Sequence, residues 1–304
     1  MTLTHQHVLV DDVDIHYVSC GEQHEKTIVF LHGFPESWHT WQAQLNEFSQ
    51  DHHVVAPDLP GYNLSDKPSN INFYQVPNLI SFFAKFIQKI SPYRPVILVA
   101  HDWGGAIAWP LTAFYPQLIE KLVILNAAHP STFTREMINN PEQREKSAYI
   151  HELIQTGAEE KISQNNYQFL FNKILSSMAD NALTAAAKQT YIDVWQQPDA
   201  VKGMLQYYRA MPQLAPASQH QAEGNGPVMS TKDMSIPNIQ IKRPTLVLWG
   251  IQDQAFVKEC VDGLDEYVDE LTLITFSQAS HWLHHEQSEK VNQHIRQFIF
   301  KESS

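Results

Sequence analysis

The chain has 304 residues, 43% hydrophobic and 18% charged, a balance that excludes disorder and allows a large buried core. Its 33 acidic against 21 basic residues give a formal charge of -12, which repels phosphate backbones and anionic head groups and argues against nucleic acid as a partner. No run approaches the roughly twenty apolar residues of a membrane span, and MTLTHQHVLVDDVDIHY lacks the basic-then-apolar pattern of a signal peptide. Cys20 and Cys260 give no disulfide framework and no metal-ligand spacing, so free thiols in a reducing cytoplasm are expected.

In chain order, short β-branched runs at 28–31, 54–56 and 96–100 alternate with an amphipathic stretch at 79–90, a βαβ rhythm. Continuous apolar strands of this kind are buried on both faces, which predicts a mostly parallel sheet covered by helices on either side. The strand signal resumes at 122–125, 245–249 and 271–274, and a last helix is expected at 289–300. Between 131 and 242 helical periodicity replaces it, at 167–175 and 182–195, so a helical subdomain inserted into a core of 1–130 and 243–304 is predicted. The Pro-, Gly-, Ser- and Gln-rich stretch 212–241 reads as an irregular return to the sheet that could shape a substrate entrance.

The strand 96–100 runs into His101-Asp102-Trp103-Gly104-Gly105 and then a helical run, the strand, sharp turn and helix of a nucleophile elbow. Ala100 and Gly104 are small where the strained turn crowds its neighbours. Asp102 fills the nucleophile slot. A carboxylate, with an ordinary pKa of about 3.9, attacks without prior deprotonation, so the histidine belongs to a later step. Displacement at a saturated carbon gives an ester, which histidine-activated water then hydrolyses. The histidine is assigned as His281, after the strand 271–274, and its orienting acid as Asp253, after 245–249. Asn126 occupies the other position from which an acid can serve, so Asp253 is preferred. The oxyanion hole is assigned to the backbone N–H groups of Phe34, in His32-Gly33-Phe34-Pro35, and Trp103. His32 and His101 read as structural hydrogen-bonders. The pairs His5/His7, His52/His53 and His284/His285 lack third and fourth ligands at metal spacing and read as surface histidines, so neither a metal nor an organic cofactor is expected.

The stretches HGFPESWHTW (32–41), DLPGYNLSDKP (58–68), HDWGGAIAW (101–109), AFYP (113–116) and YYRAM (207–211) resemble those of the soluble epoxide hydrolases of the α/β-hydrolase superfamily. The resemblance runs nearly the length of the chain. It implies an α/β-hydrolase fold with a helical cap, water and a small apolar epoxide as substrates, and two cap tyrosines that hydrogen-bond the epoxide oxygen. By their places in YYRAM and SAYIHELIQTGAEE these are Tyr208 and Tyr149; neutral phenols suit the task as donors. The plain alternative is two buried tyrosines satisfied by backbone carbonyls. Tyr207, Tyr167 and Tyr191 read as packing residues. Two positions depart from the family: Ser280 replaces a glycine, which could shift the histidine loop, and Pro110 stands inside the elbow helix, where a kink is expected.

A haloalkane dehalogenase shares the Asp nucleophile and the following Trp, but that family usually carries Asn where Phe34 stands and has no use for paired phenols. A fluoroacetate dehalogenase needs arginines after the nucleophile, and 106–110 holds none. A non-catalytic receptor on the same fold is a further alternative, against which the intact Asp102, Asp253 and His281 set speaks.

Overall fold

The computed structural model describes residues 2–211, 214 and 234–301, and in it the apolar runs become strands of one eight-stranded sheet. In chain order these are β1 (Thr4–Val10), β2 (Val13–Cys20), β3 (Thr27–Leu31), β4 (His53–Pro57), β5 (Val96–His101), β6 (Ile119–Leu125), β7 (Thr245–Gly250) and β8 (Leu271–Phe276). Their order across the sheet is β1-β2-β4-β3-β5-β6-β7-β8. All pairings from β4 to β8 are parallel, as predicted, while β1 and β2 pair antiparallel with each other and β2 antiparallel with β4. The N-terminal hairpin was not anticipated. Its edge strand β1 is mostly exposed and dilutes its apolar residues with histidines, and its turn is Asp11-Asp12, both at positive φ, rather than the glycine turn that marks a hairpin in sequence.

The central strands β3 and β5 are buried end to end because helices cover both faces. Alternate residues feed two cores. Val29 and Leu31 face the core shared with α2 (Val76–Ile90) and α3 (Trp103–Phe114), while Ile28 and Phe30 face the one shared with α1 (Gln42–Phe48) and α11 (Ser288–Phe300). Each such side chain contributes about 1.5–3 kcal/mol by leaving water. The helix α3 continues through Pro110 to Phe114 without breaking. No helix among the described residues is long and apolar enough to cross a membrane.

Between β6 and β7 the described residues up to 209 are mostly helical: α4 (Pro130–Asn139), α5 (Pro141–Lys146), α6 (Ile150–Ile154), α7 (Ala158–Phe169), α8 (Ala185–Trp195) and α9 (Ala200–Arg209); after β8 comes the short α10 (Leu283–Glu286). Local chemistry sets several starts: Asn140 and Thr184 accept backbone N–H groups as N-caps, and Pro130 and Pro141 open their helices. The helical run expected at 167–175 forms from 168 onward, but the turn that leads into it is broken. Asn165, Asn166 and Tyr167 take positive φ, and a π-helical turn follows over Leu170–Ile174. These helices sit on loops at the C-terminal ends of the strands. Trp195 Nε1 donates to the Pro35 carbonyl at 2.7 Å and the Tyr207 hydroxyl to the Pro60 carbonyl at 2.8 Å. Gly203 of α9 meets Gly61 so closely that a Cβ on it would lie 2.3 Å from the Gly61 carbonyl oxygen. The expected entrance segment 212–241 falls largely outside the described residues. Its end, 234–240, has no regular structure, and Ile241 bridges to Val268.

Candidate active site

Asp102 sits between the last residue of β5 and the first of α3 with φ 50° and ψ -118°, a left-side conformation that costs a non-glycine residue about 1–3 kcal/mol. Close packing holds it there. A Cβ on Gly104 would lie 2.3 Å from the Leu31 carbonyl oxygen, and one on Gly33 2.3 Å from the Asp102 Cβ. The Phe34 N–H donates to Asp102 Oδ1 at 2.7 Å. Trp103 follows in the first turn of α3, where backbone N–H groups have no partner within the helix. One carboxylate oxygen is thus anchored and the other, Oδ2, faces the histidine.

His281 stands 3.7 Å from Asp102 Oδ2 through Nε2 and 2.9 Å from Asp253 Oδ2 through Nδ1. Burial opposes its positive charge, yet the Asp253 and Asp102 carboxylates raise its pKa to about 9. For Asp253 burial acts the other way, but the His281 charge and the hydrogen bonds of His281, Asn126 and Phe256 hold its carboxyl below the ordinary value. Its Oδ1 accepts the Ala255 and Phe256 N–H groups at 2.6 and 3.0 Å. Asn126, weighed in the sequence only as an empty acid position, has a further part here. At φ 37° its Nδ2 donates to Asp253 Oδ2 at 2.6 Å and its Oδ1 accepts the Gly250 N–H at 2.8 Å, tying the acid to β7. Ser280 in place of glycine leaves the His281–Asp253 contact formed, because its N–H and hydroxyl both donate to Glu286, at 2.8 and 2.7 Å.

The two flanking histidines are buried in hydrogen bonds. His32 Nδ1 donates to the Gly33 carbonyl at 2.8 Å while Nε2 accepts the Leu59 N–H at 2.9 Å. His101 spans Glu36 Oε2 at 3.1 Å and the His281 carbonyl at 3.0 Å. The surface reading of the paired histidines needs correction. His5 and His7 are exposed, but His52 and His284 are buried and His53 and His285 partly so. His284 and His285 gain a third ligand-type neighbour, Glu36, from a loop about 250 positions away in sequence, which no local spacing reveals.

Tyr208 on α9 is buried edge-on against the rings of Phe34 and Trp103, with centroids 5.1 and 5.2 Å away. Tyr149, in the short turn Ser147–Tyr149 before α6, lies 6.3 Å from it ring to ring, and the two phenols share a hydrogen bond. Burial first, then the Asp102 charge for Tyr149 and the Tyr149 neighbour followed by the Asp102 charge for Tyr208, push both phenols above their ordinary value, so they are neutral donors at pH 7. Tyr207, Tyr191 and Tyr167 bond instead to the Pro60 carbonyl, Glu36 and the Trp195 carbonyl. Asp102, Tyr149 and Tyr208 together line two cavities. One, of about 440 Å³, also holds His281 and the charged Glu145 and Lys173. The other, of about 300 Å³, is walled by apolar side chains such as Phe133, Met211 and Phe256.

Residues 26–288 match the family model of the alpha/beta hydrolase fold. Epoxide hydrolase 4 of Mus musculus is 32% identical across 99% of this chain and 80% of its own length, and epoxide hydrolase 2 of Caenorhabditis elegans 30% identical across 98% and 81%. Among solved structures, the Bacillus megaterium epoxide hydrolase in complex with an inhibitor superposes with a TM-score of 0.83 at 32% identity, covering 97% of this chain and 100% of that one. With such likeness along both chains, the protein belongs to the epoxide hydrolase family of the α/β-hydrolase fold.

Proposed function

We propose that the protein hydrolyses apolar epoxides to vicinal diols through an ester on Asp102. The carrying observation is a carboxylate with one anchored and one open oxygen, flanked by His281 at 3.7 Å and sharing its cavities with two neutral phenols. The Tyr149 and Tyr208 hydroxyls hold the epoxide oxygen while Asp102 Oδ2 attacks a ring carbon. A C–O bond of the ring breaks, the ester C–O bond forms, and the developing alkoxide takes a phenol proton. Ester formation removes the Asp102 charge that helps raise the His281 pKa, so His281 releases its proton more readily and becomes the neutral base. The proton balance closes because the phenolate recovers a proton as His281 gives one up. Water then attacks the ester carbonyl, His281 takes one of its protons, and the Phe34 and Trp103 N–H groups hold the oxyanion; its collapse breaks the ester C–O bond, the second water proton passes to the departing oxygen, and the diol leaves the regenerated Asp102 carboxylate. Asp253, fixed by Asn126, keeps the imidazole oriented and stabilises its charged form. The helices between β6 and β7 serve as a cap, bounded at 131–242. The unpaired Cys20 and Cys260 support a reducing compartment, the cytoplasm.

The dehalogenase reading rests on the Asp102 nucleophile, which both families share, and on Trp103, whereas the phenols sharing the Asp102 cavities favour an oxygen leaving group. Intact-protein mass spectrometry of His281→Gln incubated with styrene oxide, and separately with 1-bromobutane, tests this. A stable adduct from the epoxide, absent in Asp102→Ala, is expected; an adduct from the bromide alone overturns the reading.

A further inference from the structure

Glu36 carries a fully buried carboxylate whose basic neighbours within ion-pair distance among the described residues are all histidines: His101, His284 and His285. Three of these four side chains converge on one point. Thr40 Oγ1 lies 2.6 Å from Glu36 Oε1, 2.6 Å from His284 Nε2 and 2.7 Å from His285 Nε2. A hydroxyl has a single hydrogen, so it donates to one of the three at most. The ligand-type atoms of Glu36, His284 and His285 also lie within 4.8 Å of one another. With the Thr40 side chain rotated aside, each would move by about 0.6 Å to reach a metal ion at ordinary Zn–N and Zn–O distances.

The surroundings hold these ligands in place and give access to them. Glu36 Oε2 faces His101 Nδ1 at 3.1 Å, and Oε1 accepts the Tyr191 hydroxyl at 3.2 Å, outer contacts of the kind that orient a ligating carboxylate. A cavity of about 320 Å³, lined by Ser37, His39, Thr40, Tyr191, His284 and His285, opens on the convergence point. The His285 side chain is 20% exposed, so an ion can enter and water can complete its shell. Two imidazoles with one carboxylate suit a borderline divalent transition ion; magnesium and calcium prefer all-oxygen sites.

We propose that Glu36, His284 and His285 form a second site, behind the catalytic histidine, that binds a divalent transition metal ion, with zinc as the best fit. The site does not depend on the epoxide hydrolase reading, since none of its ligands touches Asp102 chemistry. The full-length protein, stripped with a chelator and titrated with zinc against a chromophoric chelator, should bind one ion more tightly than all others. His285→Ala and His284→Gln should each weaken binding of that ion by more than about 100-fold, beyond the roughly 10–100-fold effect of losing an outer contact. Thr40→Ala removes the hydroxyl at the convergence point and keeps all three ligands, so it should bind zinc at least as tightly as the unaltered chain. His5→Ala/His7→Ala controls for exposed histidines and should bind as the unaltered chain does. Circular dichroism of each metal-free variant establishes that it is folded. Equal zinc affinity in the unaltered chain and the folded His284 and His285 variants, loss in the His5/His7 variant instead, or loss in Thr40→Ala overturns the site.

Discussion

Among the carboxylates that face histidines in this protein, Asp102 beside His281 and Glu36 beside His101 are set up for opposite ends. Among the described residues Asp102 accepts a single N–H, from Phe34, and leaves Oδ2 facing cavities that phenols share. Glu36, fully buried, is enclosed by Thr40, His101, Tyr191 and His285, so both its oxygens are engaged. Hydrogen bonds to a carboxylate stabilise its charge and lower its nucleophilicity, so the sparsely bonded Asp102 fits the nucleophile of the proposed reaction better than Glu36 does. The strain on the Asp102 backbone has no counterpart at Glu36: Asp102 is among the positive-φ residues and Glu36 is not.

Exchanging Asp102 for Ala should break this contrast most completely, lowering kcat by about 10⁴-fold or more in steady-state kinetics, as loss of a covalent nucleophile does. Turnover retained in that variant would move the nucleophile elsewhere. Next, His281→Gln should slow kcat by about 10²–10⁴-fold while the first equivalent of substrate still reacts. Peptide mapping of the trapped adduct should place it on the peptide holding Asp102; label on Glu36 would invert the comparison. Tyr208→Phe and Tyr149→Phe should each lower kcat about 10²-fold by withdrawing one donor from the developing alkoxide. An effect of either variant on KM alone would reduce that phenol to packing.

Stability separates the two carboxylates as well. Glu36→Ala leaves the buried His101 and Thr40 groups without this acceptor and should cost about 1–3 kcal/mol, read from the urea midpoint. The His281 pKa is raised from its ordinary value to about 9, so its ion pairs stabilise the fold fully below about pH 6.5, and that contribution is lost as pH rises through about 9. Between those limits Tm should fall by a few degrees more in the unaltered chain than in His281→Gln. A parallel decline in the two proteins would show that His281 is not charged in the resting state.

The parallel sheet was legible because each central strand is a continuous apolar run, and the elbow because its small residues and Asp102 are contiguous. The alternation that sends Val29 and Leu31 to one core and Ile28 and Phe30 to the other follows from the two-residue period of a strand. The edge hairpin was not legible, because exposed strands carry little hydrophobic signal and its turn lacks glycine. The break in α7 was hidden too: the apolar spacing around Tyr167 fits a helix, while Asn165 and Asn166 take the left-handed conformation that asparagine tolerates.

Sequence by itself determined what is carried by neighbours along the chain: the strands, the elbow, and the residue types able to form and hydrolyse an ester. Only tertiary structure decided which distant groups meet. It brought Asn126 onto Asp253, the phenols of Tyr149 and Tyr208 together over Asp102, and Glu36 onto His284 and His285. Hydrogen bonds and ligand geometry act over about 3 Å, and no periodicity in a chain specifies which far-apart residues folding will bring to that distance.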